Sequence, residues 1–467
     1  MRIEVDIAPG LLDPPPAGRL LVALAAEGCI DPRLSPGPGG PILIGRDVDA
    51  PRPGEVFLVD EAAARSVDAI PPGVYSCRAY LLANPDDRAL DAPGNLRGPA
   101  ALAELPGVVR LGLDRRSPPR CIPTDTPRVK HLSIPSPLLS AFHGRPMARD
   151  VGVILPRGHD PGRRYPLRVR VGGLGRRASC VHELMDDPRF RRALDDAPPS
   201  LLLHLDGGGP LGDPAQVDSP CNGPVGRSVV EELIPLVERE FGGLGHGRHR
   251  SLEGESSGGW AALALQIAHP DTFNGAWASS PDPVDFRAFQ TIDLYADANL
   301  YVDQAGRERP AARDRRGAVA YTVREECRHE RTLGLGDRIA ASGGQWGSWS
   351  SAFGPRVADG WPAPLWDAET GAIDAEVARF WARSDLNRTL EARWADLAPG
   401  LAGKLHVGVG DADEYYLDRA VARLAESLRR ANPPAGGWVR VGRGRGHCWF
   451  PLGDAPLARA IAARIDP

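Results

Sequence analysis

The chain has 467 residues, enough for two or three domains around large buried cores. Its 56 basic and 60 acidic side chains leave a net charge of −4, which gives no basic footprint for nucleic acid and no polybasic patch for a membrane surface. The seven cysteines (29, 77, 121, 180, 221, 327 and 448) are odd in number, widely spaced and without a C-x-x-C, so neither a disulfide framework nor a cysteine-rich zinc site is expected.

Met1–Leu12 carries Glu4 and Asp6 where a signal peptide would be apolar, and no run approaches the ~18–20 apolar residues of a membrane helix, so the cytoplasm is the expected compartment. Residues 1–117 alternate short apolar runs with proline- and glycine-rich turns. Strands are expected at Arg19–Leu24, Pro41–Ile44, Val56–Val59, Val74–Leu82 and Val108–Leu113, with turns at Ser35–Gly40 and Pro71–Gly73. This reads as a small β-sandwich-like domain, followed by a proline-rich linker at 118–127.

From residue 128 the pattern changes. Strands are expected at Val129–Ile134, Asp150–Leu155, Leu167–Val171 and Leu201–Leu205, the last a continuous apolar run suited to burial on both faces of a parallel sheet. Ser228–Phe241 reads as a helix capped by Ser228, with Glu231 at its third position and a break or kink at Pro235. Arg250–Glu253 reads as a strand, Ser257–Ala268 as a helix stopped by Pro270, and Gly275–Ser279 as a further strand. After a long interruption at 281–403, strand Lys404–Val409, helix Tyr416–Ala431, strand Trp438–Val441 and a terminal helix over Ala455–Ile465 complete an α/β domain with a mostly parallel sheet. The interruption carries tryptophans at 346, 349, 361, 366, 381 and 394, whereas residues 1–259 have none. It is expected either to be a lid or cap lining the substrate entrance or to pack as a layer around its own aromatic core.

One stretch joins these elements to chemistry. Gly254-Glu255-Ser256-Ser257-Gly258 is a G-x-S-x-G on a predicted strand-to-helix turn. A nucleophilic serine needs such a sharp turn, and the residues two before and two after it must lack side chains. Ser256 meets that condition with Gly254 and Gly258, and Ser257, with Glu255 and Gly259, meets it less well. A serine hydroxyl also needs a histidine to take its proton and an acid to fix the histidine's tautomer. His447 follows the last predicted strand in a glycine-rich loop, in the chain order serine, acid, histidine. Asp413 is the preferred acid, Asp411 the alternative, and Asp282 and Asp285 are remoter candidates. The oxyanion of an acyl transfer needs two backbone donors, expected from Ser257 and from Gly207, Gly208 and Gly209 after the Leu201–Leu205 strand.

From 128 to 467 the chain resembles the putative-esterase branch of the α/β-hydrolases, which includes esterase D and the enterochelin esterases. The resemblance rests on His204-Leu-Asp-Gly-Gly-Gly, Val230-Glu-Glu-Leu-Ile-Pro-Leu-Val-Glu, Gly254-Glu-Ser-Ser-Gly-Gly-Trp, Gly410-Asp-Ala-Asp-Glu-Tyr-Tyr-Leu and Gly446-His-Cys-Trp. It implies an α/β-hydrolase fold, with the family's triad falling on Ser256, Asp413 and His447. The acid's place three residues after Gly410 favours Asp413. A β-domain ahead of the hydrolase domain also resembles the enterochelin esterases, whereas the 281–403 insertion departs from the family pattern.

The resulting expectation is a serine esterase acting on a small-molecule carboxylic ester through an acyl-enzyme, needing no metal or organic cofactor. An acyltransferase or peptidase with the same triad is the alternative, and a non-catalytic binding protein on this scaffold is a remoter one. Whether copies of the chain form a homo-oligomer is left open.

Overall fold

The computed structural model describes residues 2–11, 17–26, 40–49, 55–59 and 70–465, so Cys29 and most of the turn cluster expected at 35–40 lie outside it. Its contacts divide the chain into two units. The first comprises Met1–Cys121, Gly209–Gly212 and Ala320–Ser348. The second comprises Ile122–Gly208, Asp213–Val319 and Trp349–Pro467. The expected insertion is therefore shared, because its middle stretch counts with the N-terminal strands.

In the first unit, β1 (Arg2–Ile7), β2 (Gly18–Ala26), β3 (Ile42–Val48), β4 (Val56–Val59), β5 (Gly73–Leu82), β6 (Ala101–Leu105) and β7 (Val108–Leu113) form two sheets. In one, β1 pairs antiparallel with β4 and parallel with β7. In the other, β2 lies between β3 and β5, and β6 joins β5. Period-two alternation sends Ile3, Val5, Val109 and Leu111 from the first sheet, and Leu20, Val22, Cys77 and Ala79 from the second, into one core. The helix Val323–Leu333, opened by a Thr322/Glu325 capping box, belongs to this unit. Buried Arg19 on β2 ties it in, donating to the Thr332 carbonyl at 2.9 Å and pairing with Asp47 at 3.0 Å and Asp337 at 2.5 Å.

That helix also carries two acids one turn apart. Glu330 accepts from the backbone amides of Trp346 and Gly347 at 2.9 Å each, and Glu326 accepts from the Trp346 indole at 2.9 Å. Burial, reinforced by the charge of Glu330, pushes the Glu326 carboxyl up to about 8. Burial raises Glu330 to about 7 against its hydrogen bonds. The folded chain thus keeps protons that the unfolded chain releases above its ordinary 4.5. The associated stability is fully present below that value and is lost as pH rises through 7 and 8. Glu326→Gln keeps an acceptor for the indole and removes the charge. It should raise the melting temperature at pH 8 by a few degrees and leave it unchanged at pH 4, as thermal melts across that range would report.

The second unit is built on β8 (Val129–Pro135), β9 (Ala148–Ile154), β10 (Leu167–Val171), β11 (Leu201–Leu205), β12 (Arg250–Glu255), β13 (Ala276–Ser279), β14 (Leu405–Gly410) and β15 (Trp438–Gly442). They form one eight-stranded sheet in the order β8-β9-β11-β10-β12-β13-β14-β15. Only the pairings of β9 are antiparallel, with β8 and with β11. From β11 to β15 every neighbour is parallel. Every residue of β11, β13 and β14 is buried, as strands covered on both faces require. The mixed sheet and its crossover helices form an α/β-hydrolase-like fold.

The helix expected at Ser228–Phe241 begins earlier, at Val225, and Ser228 is not its cap. The Ser228 hydroxyl instead donates back to the Val225 carbonyl at 2.7 Å and accepts from Arg149 at 2.9 Å. One π-helical turn, Val229–Leu233, precedes Ile234–Phe241. Pro235 has no N–H to continue the regular ladder, and the wider turn accommodates the loss.

The second unit's share of the insertion contributes to a buried aromatic layer. Trp349, Phe353 and Trp381 pack with Trp260, Phe286 and Phe289, with ring centroids 4.7–6.4 Å apart. The helix Ser257–Ala268 that follows the G-x-S-x-G turn meets this layer through Trp260. Among the described residues, no helix is long and apolar enough to cross a membrane.

Candidate active site

Ser256 stands between the end of β12 and the helix Ser257–Ala268, with φ 55° and ψ −127°. This backbone conformation costs a non-glycine residue of order 1–3 kcal/mol. It persists because the surroundings over-determine it. The Ser256 amide donates to the Ser279 carbonyl at 2.9 Å, and the Ser256 carbonyl accepts from Gly259 at 2.9 Å and Trp260 at 3.1 Å. The two motif glycines have different neighbours. A Cβ on Gly254 would sit 2.1 Å from the Gly258 carbonyl oxygen, and one on Gly258 would sit 2.2 Å from those of Val171 and Gly172. The spacing therefore lets the turn close on itself and press against the end of β10. The two adjacent serines also separate. Ser257 is buried and donates its hydroxyl to Asp282 at 2.8 Å, whereas Ser256 is half-buried.

Asp413 and His447 follow the next strands but one and two, β14 and β15. Asp413, with 0% exposure, accepts from His447 Nδ1 at 2.9 Å and from the Tyr415 amide at 3.0 Å. A carboxylate only accepts, so Nδ1 carries a proton, and in the neutral imidazole Nε2 is the nitrogen left with a lone pair. Gly410 permits this approach, since a Cβ there would lie 1.9 Å from the Arg445 carbonyl oxygen. Asp411 has another task. It accepts from the Gly444 amide at 2.6 Å and so anchors the loop that carries His447. Cys448 N donates to the Ser280 hydroxyl at 3.0 Å, and Ser280 N donates to the Gly408 carbonyl at 2.7 Å. Those bonds stitch the histidine loop to the same strand end that holds the Ser256 amide.

Burial works against a charged imidazole at His447. The hydrogen bond and charge of Asp413, joined by Cys448, outweigh it and hold His447 above the ordinary histidine range. The remoter acids are engaged elsewhere. Asp282 accepts from Ser257 and from the Trp349 indole at 2.8 Å each. Asp285 is held by Arg287, Asn387 and Arg423.

The glycines expected beside the serine are corrected by the strand order. β10 adjoins β12 directly, while β11 lies one strand further out. Neighbouring strands are about 4.8 Å apart, so the loop after β10 starts one strand closer to Ser256 than the loop after β11. A Cβ on Gly173 would lie 3.7 Å from Ser256 Cβ. Gly207 instead donates to the Arg176 carbonyl at 2.9 Å, and Gly208 donates to Asp206 at 2.8 Å. Gly209 falls in the first unit. A second glycine pair, Gly172-Gly173, also directly follows a predicted strand. Among the described residues, no cluster of three or more histidine, cysteine or carboxylate side chains is arranged to hold a metal ion, and the six described cysteines are free.

A family model described as "Putative esterase" matches residues 145–431, more than half of the chain and spanning both Ser256 and Asp413. The chain belongs to this esterase family. It is accordingly an enzyme, a carboxylic ester hydrolase. Solved structures similar to it include a ferulic acid esterase at 15% identity, covering 72% of this chain and 96% of that one, with a TM-score of 0.41. An S-formylglutathione hydrolase from Agrobacterium tumefaciens matches at 13% identity over 74% of this chain and 99% of that one, with a TM-score of 0.43. The fluorophosphonate-binding serine hydrolase FphF of Staphylococcus aureus matches at 14% identity over 73% and 98%, with a TM-score of 0.41. No curated protein matches the chain.

Proposed function

We propose that this esterase hydrolyses a small-molecule carboxylic ester through an acyl-enzyme on Ser256. One observation carries the reading: wholly buried Asp413 is hydrogen-bonded to His447 Nδ1 beyond the C-terminal ends of the parallel strands, the side of the sheet on which Ser256 also stands, on a strained turn. His447 Nε2 takes the hydroxyl proton as Ser256 Oγ attacks the ester carbonyl carbon. The carbon–alkoxy bond then breaks, and the imidazolium gives its proton to the leaving alcohol. Water repeats the sequence on the acyl-enzyme: His447 takes a proton from water, the hydroxide oxygen bonds to the acyl carbon, and Ser256 Oγ leaves with the proton.

Two backbone donors are assigned to the oxyanion. One is the Ser257 amide, in the first turn of a helix, where amides lack intrahelical partners. The other comes from the Gly173-Leu174 stretch against Ser256. The buried aromatic layer supports a packing role for the insertion. The two-sheet first unit is read as a β-sandwich-like accessory to the catalytic body.

A fluorophosphonate probe followed by peptide mass spectrometry tests the assignment. Label is expected on Ser256 alone, with none taken up by Ser256→Ala. Label on a different residue, or none on the wild-type enzyme, would overturn it.

A further inference from the structure

Asp206, just before Gly207 and Gly208, and Asp213 both bond to the segment that follows β10 and passes Ser256. That segment makes a tight turn. Arg176 N donates to the Gly173 carbonyl at 3.0 Å, and Gly175, its third residue, has φ +63°. Its outer side rests on buried carboxylates. Asp213 Oδ2 accepts from the Gly175 amide at 2.8 Å, and Asp206 Oδ2 accepts from Ala178 N at 2.7 Å. A Cβ on Gly207 would lie 2.8 Å from Asp213 Oδ2 and 3.0 Å from Arg176 N, so Gly207 admits the carboxylate and the turn to the same small space.

We propose that Asp213 is a positioning residue that fixes the Gly173–Arg176 turn, and with it the oxyanion donor beside Ser256. This rests on the acyl-enzyme reading above. Asp213 touches no reacting atom and acts through the turn. Its chemistry is specific. Oδ2 accepts from Gly175, while Oδ1 accepts from Ala215 N at 2.9 Å. The two amides approach opposite oxygens of one carboxylate, and a side-chain amide has a single acceptor oxygen, so asparagine would turn a donor toward a donor at one end. An ionised carboxylate is costly to bury, and Asp213 is only 6% exposed. Burial, with the nearby charges of Asp282 and Asp206, pushes it up to about 6 against the Gly175 and Ala215 hydrogen bonds. Three buried acids thus brace the two segments flanking the nucleophile, since Asp282 holds the Ser257 hydroxyl on the other side.

The test is Asp213→Asn in the full chain, assayed with an aryl ester and with an arylboronic acid that forms a tetrahedral adduct on an active serine. Displacing a catalytic group by about 1 Å costs roughly 10²-fold. The expected result is a fall of kcat by that factor and a matching loss of boronate affinity, with KM within threefold and the thermal transition retained. A folded variant with kcat and boronate affinity within threefold of wild type overturns the proposal. If the variant does not fold, amide exchange in the wild-type enzyme decides. Slow exchange at Gly175 is expected, and exchange as fast as an exposed turn amide overturns the proposal. Failure of the acyl-enzyme reading itself would look different, because wild type would then neither bind the boronate nor take the fluorophosphonate.

Discussion

Ser256→Ala is expected to lower kcat for an aryl ester by about 10⁵- to 10⁶-fold, with the far-UV spectrum and thermal transition unchanged. The size follows from what the hydroxyl does. It is the atom that bonds to carbon, and its neighbour Ser257 cannot substitute for it, because the Ser257 hydroxyl is committed to Asp282 at 2.8 Å. Alanine keeps the backbone in the same unfavourable region, so the amide and carbonyl bonds of residue 256 to Ser279, Gly259 and Trp260 should survive. A residual acceleration over water of about 10³-fold is expected from the oxyanion donors and substrate binding. Turnover within tenfold of wild type would remove Ser256 as the nucleophile.

Asp413→Asn is expected to lower kcat by about 10⁴-fold and to move the pH profile. An amide at 413 can turn its NH₂ toward Nδ1, which favours the tautomer with the proton on Nε2, where it cannot accept from serine. The charge argument gives the direction of the pH effect. His447 must be unprotonated to act as a base, so kcat/KM rises as pH passes its pKa. Asp413 holds that pKa above the ordinary value of about 6.5, and burial alone would lower it. The wild-type acid limb should therefore lie above pH 6.5, and the Asp413→Asn limb should move to lower pH. Profiles of kcat/KM for both proteins check this, and an unmoved limb would break the link between the two residues.

Much of the proposed site was legible because the residues that compose it are local in sequence. The G-x-S-x-G turn, the acid three residues after Gly410 and the histidine after the last strand each sit where a strand ends, and strands with continuous apolar runs are easily read. Choosing between Gly207 and Gly173 needed information that no local pattern holds. Both follow a strand, and the choice depends on which strand lies beside β12. The sheet places β10 there and β11 further out. Ser228 failed as a cap for a similar reason. A serine before an apolar periodic run reads as a helix start, but its buried bond from Arg149 is a tertiary contact. The insertion was also hard to read, since tryptophan content marks aromatic packing without saying whether the rings face a substrate or one another.

The sheet order also sets when this enzyme can first act. During synthesis the chain emerges from its N-terminus, so the strand and turn bearing Ser256 exist well before β14 and β15 have been made. Parallel strands cannot pair until their crossovers are present, and such long-range pairing is slow. A partly translated chain thus carries a serine with neither its proton acceptor nor the buried acid behind it. On the proposed mechanism, ester cleavage begins only once the final strands, β14 and β15, have docked.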